Sequence, residues 1–330
     1  MVDQPRHIRY HPFSCEPERL HGTPISFLWY VHIIKVDEGV AMAKIGRFKN
    51  DRARAAYLAV YDEMAARSPI PFDEQRVETS FGTTHISRFG SGDATPLVLL
   101  HPVGGNGAGW APVIEGLSAD RIVYAPDTIG TPGKSVQTAP ITAAADFGAW
   151  LDETLAGLGV DRAHLLGYSD GGWQAAVAGL HNAKRLASVT LVETGGVLRI
   201  RWSVLLRIMR FAVAPTERNM RRLNRWLMPG VEVSELDARA ARASVGYRRQ
   251  LPWGTVLTDA ELGSFTIPSL WVFGSESVLV RPAAAAARRV RERVPAAEVE
   301  VFDGLGHGLF FANADIVVPR IVDFLRRHDG

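Results

Sequence analysis

One hydroxyl in this chain is placed to act as a nucleophile. Gly167-Tyr168-Ser169-Asp170-Gly171-Gly172 has the form G-x-S-x-G, with an apolar run before it and a small-residue stretch after it. A serine at the tip of a tight strand-to-helix turn sits on strained backbone, and small neighbours let the chain fold back. The helix that begins there points its first N–H groups at the reaction centre. A serine hydroxyl needs a base before it can attack a carbonyl. His307, in Asp303-Gly304-Leu305-Gly306-His307-Gly308, follows the last β-like run and is flanked by glycines, so its ring can reach into a site. It alone among ten histidines holds that place in chain order.

Attack on a carbonyl also creates an oxyanion that needs two N–H donors. One is expected from Asp170, directly after the nucleophile, and the other from His101-Pro102-Val103-Gly104-Gly105. Pro102 has no N–H, so Val103 is the candidate donor. His101 reads as a hydrogen-bonding residue of that loop rather than a catalyst. Trp110, Tyr168 and Trp173 lie near the expected mouth as candidates for an acyl or aromatic pocket, although both tryptophans suit a core equally well.

These residues must be held by a regular frame, and the chain has one. From residue 75 onward, short β-branched or aliphatic runs alternate with amphipathic stretches, the pattern of a mostly parallel sheet flanked by helices. Runs at 75–80 and 83–89 flank Phe81-Gly82 and read as a hairpin; 96–100, 121–125, 163–167 and 188–192 read as strands. Phe147, Trp150, Leu151, Leu155 and Leu158 share one face of a helix over 143–158, and a second helix spans 171–180. The alternation stops over 194–265, a helical stretch rich in arginine. It resumes with strands at 269–273 and 298–302 and helices at 282–294 and 312–327. The chain thus divides into an arm over 1–45, core segments over 46–193 and 266–330, and a helical lid over 194–265, inserted between the sixth and seventh strands.

Composition narrows the function classes. Apolar residues make up 47% and the net charge is +2, from 37 basic and 35 acidic side chains, giving no general reason to expect nucleic acid or an acidic membrane as partner. The single cysteine, Cys15, rules out an internal disulfide and a C-x-x-C site, and fits a reducing cytoplasm. The apolar segment 25–34 is too short to span a membrane and contains His32. Met42 opens a segment that could equally be the native start. Neither a metal nor an organic cofactor is called for by serine–histidine chemistry.

Together these motifs resemble the α/β-hydrolase superfamily over about residues 75–330. The segment Pro126 to Ser135, with Asp127, Gly130 and Gly133, looks like the family's loop after its fourth strand. The resemblance implies an acyl-enzyme mechanism in which Ser169 attacks and His307 shuttles the proton, acting on a small-molecule carboxylic ester. The His-Pro-x-Gly-Gly loop is similar to assembly-line thioesterases, so a thioesterase or acyl-transferring cyclase is the nearest alternative. A binding protein, or one promoting non-hydrolytic cyclisation, is a third.

One position departs from the family pattern. The usual acid after the penultimate strand is replaced by Ser277 in Gly274-Ser275-Glu276-Ser277-Val278, and a serine cannot stabilise an imidazolium as a carboxylate does. Two substitutes exist: Glu193, at the end of the preceding strand, where some branches of the fold place their acid, and Glu276, one residue off. The lid carries Arg218, Arg221, Arg222 and Arg225, read either as a solvated face or as a rim that attracts an anionic substrate. Its Trp202, Leu205, Leu206, Ile208, Met209 and Phe211 are expected to pack on the core.

Overall fold

The computed structural model describes residues 44–213 and 216–330, so the arm expected over 1–45, with Cys15, lies almost wholly outside the described residues. Eight strands follow one path: β1 (Phe72–Thr79), β2 (Gly82–Phe89), β3 (Ala94–Leu100), β4 (Arg121–Pro126), β5 (Ala163–Tyr168), β6 (Leu186–Val192), β7 (Ser269–Gly274) and β8 (Ala297–Phe302). Their spatial order is β8-β7-β6-β5-β3-β4-β2-β1, and the two-residue strand Val136–Gln137 pairs with β2 off this path. The strands from β3 to β8 run parallel; β1 and β2 close the far edge antiparallel.

The continuous apolar runs read from the sequence become strands covered on both faces. Val98 and Leu100 meet one helical layer with Phe147, Trp150, Leu151 and Leu155, whereas Leu97 and Leu99 meet the other with Val113, Leu117, Ile321 and Leu325. Alternate side chains of a strand point to opposite faces, so every residue of such a run is buried. The covering helices are α1 (Asp51–Ala65), α2 (Ala111–Leu117), α3 (Ala144–Gly157) and α4 (Asp170–His181). The 194–265 stretch supplies α5 (Trp202–Val213), α6 (Glu217–Leu227), α7 (Glu235–Ser244) and α8 (Asp259–Gly263). After β7 come α9 (Ala283–Arg293), α10 (Leu309–Ala312) and α11 (Ala314–Arg327).

Three local features differ from the sequence expectation. Helix α1 was not anticipated, because its buried stripe is only Tyr57, Val60 and Tyr61 on an otherwise polar helix. It is started by Asn50, whose side chain accepts the Ala53 N–H at 2.9 Å. A two-pair antiparallel ladder, Arg47 with Arg248 and Phe48 with Tyr247, ties the segment before α1 to the insertion. The expected last helix begins two residues later, as α11, and a separate short helix, α10, precedes it.

The third difference corrects the packing assigned to the insertion. Val204 and Ile208 are the residues of α5 that bury against Leu223, Leu227 and Met228. Trp202 and Leu206 are not core: they are 66% and 46% exposed. With 3.6 residues per turn, positions two away from a buried residue point to the opposite side, and no layer of the described residues covers that side. Leu205 and Met209 are half-buried, and the Phe211 side chain lies outside the described set. Arg218, Arg221, Arg222 and Arg225 are all exposed. No described helix is long and apolar enough to cross a membrane, and no cluster of His, Cys, Asp or Glu among the described residues could hold a metal ion.

Candidate active site

Strands β3, β5 and β6 are neighbours, and their carboxyl ends deliver the loop 101–105, Ser169 and Glu193 to one edge of the sheet. That edge is where open α/β sheets bind ligands. Ser169 has φ 56 and Glu193 φ 49; among the described residues they are the non-glycine residues with positive φ. Such backbone costs on the order of 1–3 kcal/mol and persists only where surrounding structure enforces it. Ladder bonds do so here: the Ser169 N–H donates to the Val192 carbonyl at 2.9 Å, and the Glu193 N–H to that of Val272 at 2.8 Å.

The glycines of the motif are needed for close approach. A Cβ on Gly167 would lie 2.1 Å from the Gly171 carbonyl oxygen, and one on Gly171 would lie 2.1 Å from that of Leu100. The first α4 turn therefore lies directly against the start of the 101–105 loop, within two residues of Val103. His101 secures that loop. Its Nδ1 donates to the Pro102 carbonyl at 2.9 Å, while Nε2 accepts the Thr128 N–H at 3.0 Å. Burial holds its pKa below the ordinary histidine value, which suits a neutral ring with both nitrogens used. The next loop is fixed by buried Asp127, which accepts N–H groups from Gly107 and Lys134, both at 2.7 Å. Burial alone would raise the pKa of Asp127, but His85 and these N–H groups outweigh it and hold the carboxyl below its usual range.

The structure brings Ser169, His307 and Glu193 into one chain of hydrogen bonds. His307 Nε2 is 3.2 Å from Ser169 Oγ, and Nδ1 is 2.7 Å from Glu193 Oε2. A carboxylate only accepts, so Nδ1 carries the proton and the Nε2 lone pair faces the serine. Glu193 accepts two further bonds: the Gly274 N–H at 2.7 Å and the Ser277 hydroxyl at 2.6 Å. Glu276 is corrected by the same geometry. Its side chain is exposed, and only its backbone N–H turns inward, to the Leu305 carbonyl. A one-residue shift in this loop reverses the direction of the side chain, so Ser277 points in and Glu276 out.

The aromatic residues expected near the mouth are all buried, each with its own packing partners. Tyr168 stacks on the His307 ring with centroids 5.4 Å apart, and its hydroxyl donates to the His307 carbonyl at 2.7 Å. Burial, with the Glu193 charge adding to it, pushes the Tyr168 pKa well above the ordinary value, so the phenol stays a donor. Trp110 packs against Phe310 and Phe311 in the core layer of α2 and α11. Trp173 meets Phe147 edge-on, and its indole N–H donates to the Thr255 carbonyl at 3.1 Å. As the last β5 residue, Tyr168 shares the burial of its whole strand, and Trp173 lies one α4 turn in from Ser169 on the face toward α3. Sequence reasoning missed the support given by Gly274 and Ser277, and it missed Arg249, whose guanidinium reaches Asp170 from 79 positions further along the chain.

A sheet of this order, a strained serine at the end of β5 and a histidine after β8 define an α/β hydrolase. The family model for alpha/beta hydrolases matches residues 97–320, and the chain belongs to that family. Among curated proteins it is similar to the carboxylesterase YbfK of Bacillus subtilis (strain 168), at 28% identity over 82% of this chain and 93% of that protein. The crystal structure of the Bacillus subtilis carboxylesterase CesB (YbfK) superposes with a TM-score of 0.76 at 27% identity, covering 83% of this chain and 98% of that one. The naproxen esterase (carboxylesterase NP) of Bacillus subtilis gives a TM-score of 0.75 at 26% identity, covering 82% and 97%.

Proposed function

We propose that this protein hydrolyses a carboxylic ester of a small molecule through an acyl-enzyme on Ser169. The observation that carries the reading is the continuous path from Ser169 Oγ through His307 to Glu193, at 3.2 and 2.7 Å. Ser169 Oγ attacks the ester carbonyl as its proton passes to His307 Nε2. Glu193 stabilises the imidazolium that forms. The N–H groups of Val103 and Asp170 receive the oxyanion. Collapse expels the alcohol, which takes its proton from His307. Water, deprotonated by the same ring, then attacks the acyl carbon and releases the acid and Ser169. The similarity to two carboxylesterases over more than four fifths of the chain supports the ester as substrate class.

The insertion over 194–265 belongs to this reading as the lid. Met228 lies 4.0 Å from the Tyr168 hydroxyl, and Thr255 holds Trp173, so the insertion rests on residues that flank Ser169. Its exposed arginines form the rim over which substrate enters. No observation favours thioester over ester as the scissile bond.

Intact-protein mass after treatment with a fluorophosphonate tests the serine. A single adduct on the wild type, absent from Ser169→Ala and His307→Ala, is expected, followed by turnover of p-nitrophenyl esters. A folded wild type that takes up no adduct and cleaves no ester overturns the reading.

A further inference from the structure

Asp170 is an unexpected side chain in this site. Its N–H is the proposed oxyanion donor, yet the same residue carries a carboxylate, and its side chain is only 10% exposed. Covalent geometry keeps that carboxylate carbon within about 4 Å of its own nitrogen. An oxyanion bound there sits about 3 Å from that nitrogen. The two negative centres are therefore at most about 7 Å apart, in a region where water screens little. Left alone, the carboxylate would oppose the charge that the site exists to stabilise.

The insertion supplies the counter-charge. Arg249 Nη2 donates to Asp170 Oδ2 at 3.2 Å, and Gln174 Nε2 donates to the same oxygen at 2.9 Å. The Arg249 side chain is itself only 9% exposed. Its guanidinium is held by the Leu251 carbonyl at 3.0 Å through Nη1 and lies over the Trp253 ring, 4.3 Å from the centroid. The ladder pairing Arg248 with Arg47 fixes the backbone one residue earlier. Nothing in this arrangement gives Arg249 a structural partner as strong as Asp170.

Resting on the ester-hydrolase reading, we infer that Arg249 is a positioning residue for the oxyanion site: it neutralises Asp170, so that the N–H of that residue can donate to the developing oxyanion unopposed. The insertion then does more than cover the site, because it contributes part of the field in which the tetrahedral intermediate forms. The effect falls on the charged state and not on a neutral ester, so kcat responds and KM does not.

The test is a double-mutant cycle over wild type, Arg249→Gln, Asp170→Asn and the double variant. It is read as kcat and KM on a neutral p-nitrophenyl ester and as the rate of phosphonylation by a fluorophosphonate. Arg249→Gln is expected to lower kcat and the phosphonylation rate on the order of 10- to 50-fold, the size of one uncompensated charge at that distance, with KM within about threefold. Adding Asp170→Asn to Arg249→Gln should raise the rate again, because the charge needing neutralisation is gone. Arg249→Lys, which keeps the charge but not the stacking on Trp253, should retain more activity than Arg249→Gln. A double variant as slow as Arg249→Gln would overturn the proposal, leaving Arg249 as packing for the 249–257 loop. So would an Arg249→Gln that matches an active wild type. A wild type without turnover or labelling would instead bring down the ester-hydrolase reading itself.

Discussion

Two loops end beside the same histidine and divide its support between them. At the end of β6, Glu193 turns its carboxylate back under the site through a positive φ and meets His307 Nδ1 at 2.7 Å. At the end of β7, where the family pattern leads one to expect the acid, Ser277 instead hands a hydroxyl to that carboxylate at 2.6 Å. In this chain the β7 loop supports a charge and does not carry one: Ser277 Oγ donates to Glu193 and accepts the Val280 N–H at 3.1 Å. The His307 ring is thus met from two neighbouring strand ends, by a carboxylate from β6 and, through that carboxylate, by a hydroxyl from β7.

Replacing the acid should reveal the largest difference between the loops. Glu193→Gln is expected to lower kcat on a p-nitrophenyl ester by about 10³- to 10⁴-fold with little change in KM, since a neutral amide neither fixes the tautomer nor stabilises the imidazolium. Moving the acid sharpens the comparison: Glu193→Ala combined with Ser277→Asp should run at least about tenfold faster than Glu193→Ala alone. No gain would mean that the β7 loop can no longer present a carboxylate to His307. Ser277→Ala removes one hydrogen bond to a charged group and should cost about tenfold in kcat, from the usual strength of such a bond. Glu276→Gln, on the outward side of the same loop, should leave kcat within about twofold; a loss comparable to that of Glu193→Gln would break the contrast.

Most of the frame was legible because it rests on local rules. The apolar runs became strands, and the bounds of α3, α4 and α9 fall within about a residue or two of the periodic pattern. Ser169 and His307, which lie 3.2 Å apart, could be paired from the sequence because a glycine-bracketed serine after a strand and a glycine-flanked histidine after the last strand are local patterns. The carboxylate beside His307 Nδ1 could not be picked out, since Glu193 and Glu276 both follow strand ends, and only the backbone turn at each decides which one faces the ring. The outward face of α5 also escaped, because amphipathic spacing marks two faces and does not say which one meets a neighbour. Arg249 had no signal at all: its partner is distant in sequence, and its own segment has no repeating pattern.

The short ladder between residues 47–48 and 247–248 bears on the order in which the molecule assembles and comes apart. It joins segments about 200 positions apart and, with the Lys49 N–H to the Gly246 carbonyl and Val60 of α1 against Leu236 and Ala240 of α7 beside it, closes a long loop with a small patch of contact. Such contacts form after the sheet and part before it. Arg249 is the next residue, so a warming molecule would release the counter-charge of Asp170 while β3 to β8 remain paired. Ester turnover should therefore fade several degrees below the loss of far-ultraviolet dichroism, and coincident transitions would show that the ladder and the sheet open as one unit.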